Sequence, residues 1–226
     1  MRKLATVAAL IAAAAVGAGC GSDDTDTTSA AAPDTPSERL SAERFAAAER
    51  VYEAVLPIDE LPDEPDPRKL ESKVAEVVEA CDEVAATGDE LLDALTRDCE
   101  LMAVAAEATT AASDCADPAG CGREIVKAAE SMIAIANSAV EAIPTVEAEV
   151  AAGPCREVLT SARHLGLFSD MAQNLRTMGE AIRDGDDETA LAAANRAIRI
   201  GERAERLPDA AATLARFRRA CAPEGS

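Results

Sequence analysis

The chain has 226 residues, enough for one domain with a real core and too few to demand two. Its 42 acidic against 22 basic residues give a net charge of −20, which repels nucleic acid and anionic headgroups and argues against a nucleic-acid role. Three Phe, one Tyr and no Trp leave almost nothing to stack on a sugar, a base or a flat cofactor, so Ala, Val, Leu and Ile must build the core. β-branched and aromatic runs with regular turns are missing, and the expected class is all-α.

In chain order, Met1-Arg2-Lys3 is a short positive segment, and Leu4 to Val16 is an apolar run too short for the ~20 residues of a spanning helix, so residues 1–19 read as a secretion signal. It closes on Gly17-Ala18-Gly19-Cys20, which resembles the lipobox of bacterial lipoproteins, with Gly17 where that family usually has Leu. The resemblance covers the leader alone. It implies that Cys20 becomes the lipidated N-terminus, with the mature chain held at the cell membrane on its extracytoplasmic face. The rival is ordinary cleavage after Ala18. Cysteine parity favours lipidation: of seven cysteines, modifying Cys20 leaves six to pair in an oxidising compartment.

Residues 20–36 form an acidic stretch with Asp23, Asp24, Asp26 and Asp34 and no basic residue, expected to be a flexible tether. From 37 to 226 a single domain is expected: a disulfide-stapled antiparallel bundle of about six helices. The first runs from about Ser37 to Leu56 and stops at Pro57. Pro57 to Pro67 carries four prolines and five carboxylates, an extended loop whose spacing lacks the pattern of a calcium site.

Leu70, Val74, Val77, Cys81, Val84, Gly88, Leu91 and Leu95 then alternate by four and three, a coiled-coil-like seam. Its phase is unbroken across Gly88, so one helix is expected from about 68 to 112, although Thr87 and Glu90 form a possible capping box there. Cys115 to Cys121 is a turn. Ile125, Ala129, Met132, Ala136 and Val140 mark the next helix, with Pro144 expected to kink it before Gly153-Pro154 ends it. Another spans about 155–183. Asp184-Gly185-Asp186 ends it and starts the next, carried by Leu191, Ala194, Ile198 and Gly201 to Leu207, and a short last helix ends at Cys221.

Without CxxC pairs, and with a single histidine, the cysteines are expected to form disulfides and no metal site. Cys115 and Cys121 share their midpoint, position 118, with Cys81 and Cys155. An antiparallel hairpin about that point pairs Cys115 with Cys121 and Cys81 with Cys155, leaving Cys99 to meet Cys221. The competing scheme, Cys81 with Cys99 and Cys155 with Cys221, requires a break at Gly88, since 18 residues of unbroken helix span ~27 Å, which no disulfide crosses.

No catalytic residues and no cofactor are expected. His164 has no triad spacing around it, and the acid pairs Asp63-Glu64 and Asp186-Asp187 sit in a loop or at a helix end, where solvation or the helix dipole favours them. The most distinctive charged feature is Arg196, Arg199, Arg203 and Arg206 at spacings of three, four and three. They line one helical face able to receive an anion or an acidic partner, or to lie solvated beside Glu202, Glu205 and acids on neighbouring helices. The expected function is a lipid-anchored, non-catalytic envelope module with a protein partner. The alternative is an extracytoplasmic small-molecule or ion carrier.

Overall fold

Aspartates begin the helices of this chain. The computed structural model describes residues 37–59, 61, 66–161, 163–204 and 207–223, with the backbone alone of Asp59, Arg163, His164 and Leu165. The leader, Cys20, the tether, most of the acidic loop and Arg206 lie outside the described residues. Among the described residues the chain is all-helical: α1 Ala42–Asp59, α2 Pro67–Ala85, α3 Glu90–Thr96, α4 Cys99–Asp114, α5 Pro118–Glu149, α6 Pro154–Leu159, α7 Arg163–Asp184, α8 Asp187–Ala204 and α9 Ala210–Cys221. Asp66, Asp89, Asp117, Asp186 and Asp209 each accept a backbone N–H from the first turn that follows, which satisfies donors a helix cannot pair internally. Pro67, Pro118 and Pro154 stand in first turns, where the missing N–H costs nothing.

The expected helix over 68–112 is three helices. The seam residues Leu70, Val74, Val77, Cys81 and Val84 are all buried, yet α2 ends just beyond them. Thr87 Oγ1 donates to the Val84 carbonyl at 2.8 Å, so it closes the helix behind it instead of capping the one ahead. Gly88 takes φ +68°, a left-handed conformation that glycine adopts without steric cost. Asp89 Oδ1 then accepts from Leu91 N and Leu92 N, both at 3.1 Å, and starts α3.

This break overturns the nested cysteine scheme. Cys81 bonds Cys99 and not Cys155, with Cα atoms 6.4 Å apart, and Cys155 bonds Cys221 at 4.7 Å. Cys115 bonds Cys121 at 5.3 Å. Counting equal heights along helices fails once one of them folds back at Gly88. Two further boundaries differ. α1 runs through Pro57 to Asp59, burying Ile58, since a proline in the last turns of a helix breaks little of its ladder. The helix expected over 155–183 divides at Thr160, whose Oγ1 and N–H both donate to the Arg156 carbonyl, ending α6. α5 continues through Pro144.

Two apolar cores result. The first lies among α2, α4, α5, α7 and α8, around Met102, Met132, Ile135, Met171 and Ala193. The second gathers Leu40, Leu91, Leu92, Val146, Val158, Leu214 and Phe217 from the N-terminal segment, α3, the end of α5, α6 and α9. α1 serves both, with Val55 and Ile58 in the first and Ala47 and Ala48 in the second. Phe45 and Tyr52, seven residues apart and so on one face of α1, both stack against Phe217, at centroid distances of 5.2 and 4.5 Å. Arg44 pins the junction: its guanidinium bonds Asp89 at 2.7 Å and Glu149 at 2.9 Å, tying α1 to the start of α3 and the end of α5.

α5 and α7 approach closely where both carry glycine. A Cβ built on Gly122 would collide with the Gly179 carbonyl oxygen and sit 2.7 Å from Arg183 N; one on Gly179 would sit 2.8 Å from the Gly122 carbonyl oxygen. These obstacles are backbone and cannot swing aside. Gly122→Ala should therefore cost about 2 kcal/mol, the overpacking strain exceeding the gain in helix propensity, read as a lower urea midpoint at unchanged slope. By loop-closure entropy the 66-residue separation of Cys155 and Cys221 makes that bond the most stabilising of the three, at ~4 kcal/mol. The pair Cys155→Ala/Cys221→Ala should lower the unfolding free energy by about that amount in the same assay.

Candidate functional site

α8 presents its arginines through the way it packs. The sequence pointed to Leu191, Ala194, Ile198 and Gly201 as the inner face, but the buried residues are Ala193, Ala197, Ile200, Gly201 and Ala204, and Leu191 is 64% exposed. Four of the five buried residues are Ala or Gly, which let α8 lie close to its neighbours, with Ile200 the one large side chain on that face. With the alanine edge inward, Arg196, Arg199 and Arg203 share one exposed flank.

Arg196 Nε donates to Asn174 Oδ1 on α7 at 2.8 Å. Arg199 and Arg203 make no ion pair among the described residues, so the pairing with Glu202 expected from the sequence is not formed. Glu205 and Arg206 lie outside the described residues. Elsewhere some arginines are committed to acids, Arg176 to Glu130 and Glu180, Arg183 to Asp184, Arg218 to Glu49 and Glu53, while Arg156 and Arg219 donate to backbone carbonyls. The Arg218 pairs fasten α9 to α1. The α8 flank therefore carries uncompensated positive charge on an acid-rich chain, an arrangement suited to planar, bidentate recognition of carboxylate or phosphate groups.

The remaining candidates have structural duties or fall outside view. Asp186 accepts from Thr189 N at 3.0 Å, the bond that chiefly holds its carboxyl below the ordinary range, and so it caps α8. Asp187 begins that helix. His164 lies in the first turn of α7, with its side chain outside the described residues, as are Asp63 and Glu64. Among the described residues, no group of three or more His, Cys, Asp or Glu is placed to hold a metal ion.

One perturbed group carried no signal in the sequence. Asp98, at the start of α4 beside Cys99, is 8% exposed, and burial pushes its carboxyl up to about 6, against the opposing pull of its own backbone N–H and of Arg97. It makes no side-chain bond to the first turn of α4. Nothing in Thr-Arg-Asp-Cys distinguishes an inward acid from an outward one; its direction follows from the turn between α3 and α4. Between about pH 4 and pH 6 the folded chain thus holds a proton on Asp98 that the unfolded chain has already lost. Its burial costs nothing below about pH 4, and the penalty grows to its full size by about pH 6. Asp98→Asn should stabilise the protein by about 2 kcal/mol at pH 7 and by almost nothing at pH 3.5. Urea unfolding of parent and variant at both pH values measures this difference.

Comparison of the chain with protein-family profiles, with curated proteins and with solved structures finds no match to any of them.

Proposed function

We propose that the protein is a lipid-anchored module of the bacterial cell envelope, tethered through Cys20. Its helical domain, one antiparallel bundle over residues 37–226, is non-catalytic and docks an acidic protein partner on the arginine flank of α8. The observation that carries this reading is the flank itself: Arg196, Arg199 and Arg203 are exposed together, the last two without a carboxylate partner among the described residues. The antiparallel arrangement draws support from the order of contacts between α5 and α7, in which Gly122 meets Arg183 while Glu130 pairs with Arg176. Disulfides suit an extracytoplasmic site. No helix among the described residues is long and apolar enough to cross a membrane.

Three arginines on one flank would steer an acidic partner and set its orientation more than its affinity, with strong dependence on salt. Crosslinking in intact cells, with capture from membranes, should recover one partner with the parent chain. Arg199→Glu/Arg203→Glu should reduce recovery at least tenfold while leaving the thermal midpoint within a few degrees, since both side chains are exposed. Undiminished recovery with the variant rejects the flank. If instead the parent binds a small polyvalent anion in native mass spectrometry and the variant does not, the protein is a carrier of anions. Intact mass of the membrane-purified chain checks the anchor: a diacylglycerol adduct on an N-terminal Cys20 supports it, and an unmodified chain beginning at Gly19 removes it.

A further inference from the structure

The three disulfides are not equivalent. Cys81, Cys99, Cys155 and Cys221 are at most 4% exposed and sit within the two cores. Cys115 and Cys121 are only half-buried, in a turn where Ala116, Asp117 and Pro118 are exposed. Attack on a disulfide needs a thiolate to reach one sulfur in line with the bond, and access of that kind exists here alone among the three.

The surroundings also give the bond a direction. Cys115 lies before α5 in extended backbone, φ −67° and ψ 142°, whereas Cys121 is in the first turn of α5, a helix of 32 residues. The positive end of a helix favours a thiolate in its first turn over one in the extended segment before it; the Asp117 carboxylate that caps Gly120 N takes up part of that field, and the remainder makes Cys121 the better leaving group and Cys115 the sulfur to be attacked.

The turn, moreover, does not depend on the bond. Asp117 Oδ1 accepts from Gly120 N at 2.7 Å, the Asp117 carbonyl accepts from Cys121 N at 3.0 Å, and Pro118 presets the first helical residue. An opened pair is thus held close enough to close again.

We propose that Cys115–Cys121 is a thiol–disulfide exchange site, opened and closed by an external dithiol while the two buried disulfides stay intact. This goes beyond the arginine flank and does not rest on it. The incoming thiolate forms a bond to Cys115 Sγ; the Cys115–Cys121 bond breaks and its electron pair leaves on Cys121 Sγ. The second thiolate of the dithiol then displaces Cys115 Sγ, which takes a proton from water as the dithiol closes to its own disulfide. Two electrons pass from the dithiol to the chain, and the reverse sequence passes them to an oxidised acceptor.

The test uses the oxidised, folded chain with dilute dithiothreitol and no denaturant, quenched with iodoacetamide and mapped by peptide mass. Cys115 and Cys121 should be alkylated at least tenfold faster than any of the other four cysteines, with helical circular dichroism unchanged. Reduction of all three bonds together, or of a buried bond first, overturns the proposal. A monothiol, 2-mercaptoethanol, should be trapped on Cys115; trapping on Cys121 overturns the assigned direction. Cys115→Ser/Cys121→Ser should keep its helical signal and melt cooperatively near the parent. A variant that fails to fold overturns the proposal by making the bond a structural staple.

Discussion

The reversal at Thr87-Gly88-Asp89 is the constraint on which the rest of the arrangement depends. Gly88 in a left-handed conformation turns the chain out of α2, and Asp89 does two jobs once it has turned. Its Oδ1 accepts the free N–H groups of α3, and its Oδ2 receives the Arg44 guanidinium from α1. A carboxylate that caps a helix and pairs with a half-buried arginine is held by three charge-assisted bonds, each worth more than a neutral one. From that fixed point α3 places Leu91 and Leu92 in the second core, and the chain comes back to set Cys99 against Cys81. Without the reversal Cys81 and Cys99 would lie on one rod ~27 Å apart, and the second core would lose the helix beneath it.

The two cores solve the shortage of large side chains differently. In the second, three of the four aromatic rings of the chain are concentrated in one stack of Phe45, Phe217 and Tyr52, where each ring buries far more area than an alanine. Desolvation there also pushes the Tyr52 hydroxyl up, so it stays neutral at any physiological pH. The first core has Phe168 but otherwise combines aliphatic side chains such as Leu70, Val77 and Ile135 with methionine and alanine, and its helices α5 and α7 meet through the backbone contact of Gly122 with Gly179. Alanine gains little by burial, and close approach recovers the difference through dispersion between backbones. That makes the first core intolerant of added methyl groups, where a larger core would repack around them.

Much of this was legible in the sequence, and the failures share a cause. The class, the buried seam of α2 and the common flank of Arg196, Arg199 and Arg203 follow from periodicity alone. Gly185 followed by Asp186 reads as a helix end and a new start, and Gly185 is indeed left-handed at φ +75°. Gly88 followed by Asp89 is the same signature. The sequence reading takes Thr87 and Glu90, not Asp89, as the possible cap there, and Val84, Gly88 and Leu91 keep the spacing of a continuous seam, so periodicity over many residues outweighs the local signal. The seam holds for another reason: Val84 and Leu91 both face the second core from different helices. The pairing of four cysteines then went wrong with the helix. The rotation of α8, the burial of Asp98 and the glycine crossing had no sequence signal, since each depends on what a neighbouring helix leaves room for.

The charges of the chain divide by the same test of room. Arg44 and Arg218 lie where two or three helices meet, and each bridges two carboxylates across the gap. There a cation holds elements together and has a stability role. Arg199 and Arg203 are in another position. They are four residues apart, where like charges repel by a few tenths of a kcal/mol, and no carboxylate of the described residues offsets that cost. An exposed ion pair would be easy to arrange in a chain with almost twice as many acids as bases, and would stabilise by up to ~1 kcal/mol. Leaving the flank uncompensated costs stability and keeps a positive surface that diffusing partners can sense over ~10 Å. Stability is therefore not what Arg199 and Arg203 supply, in contrast to Arg44 and Arg218.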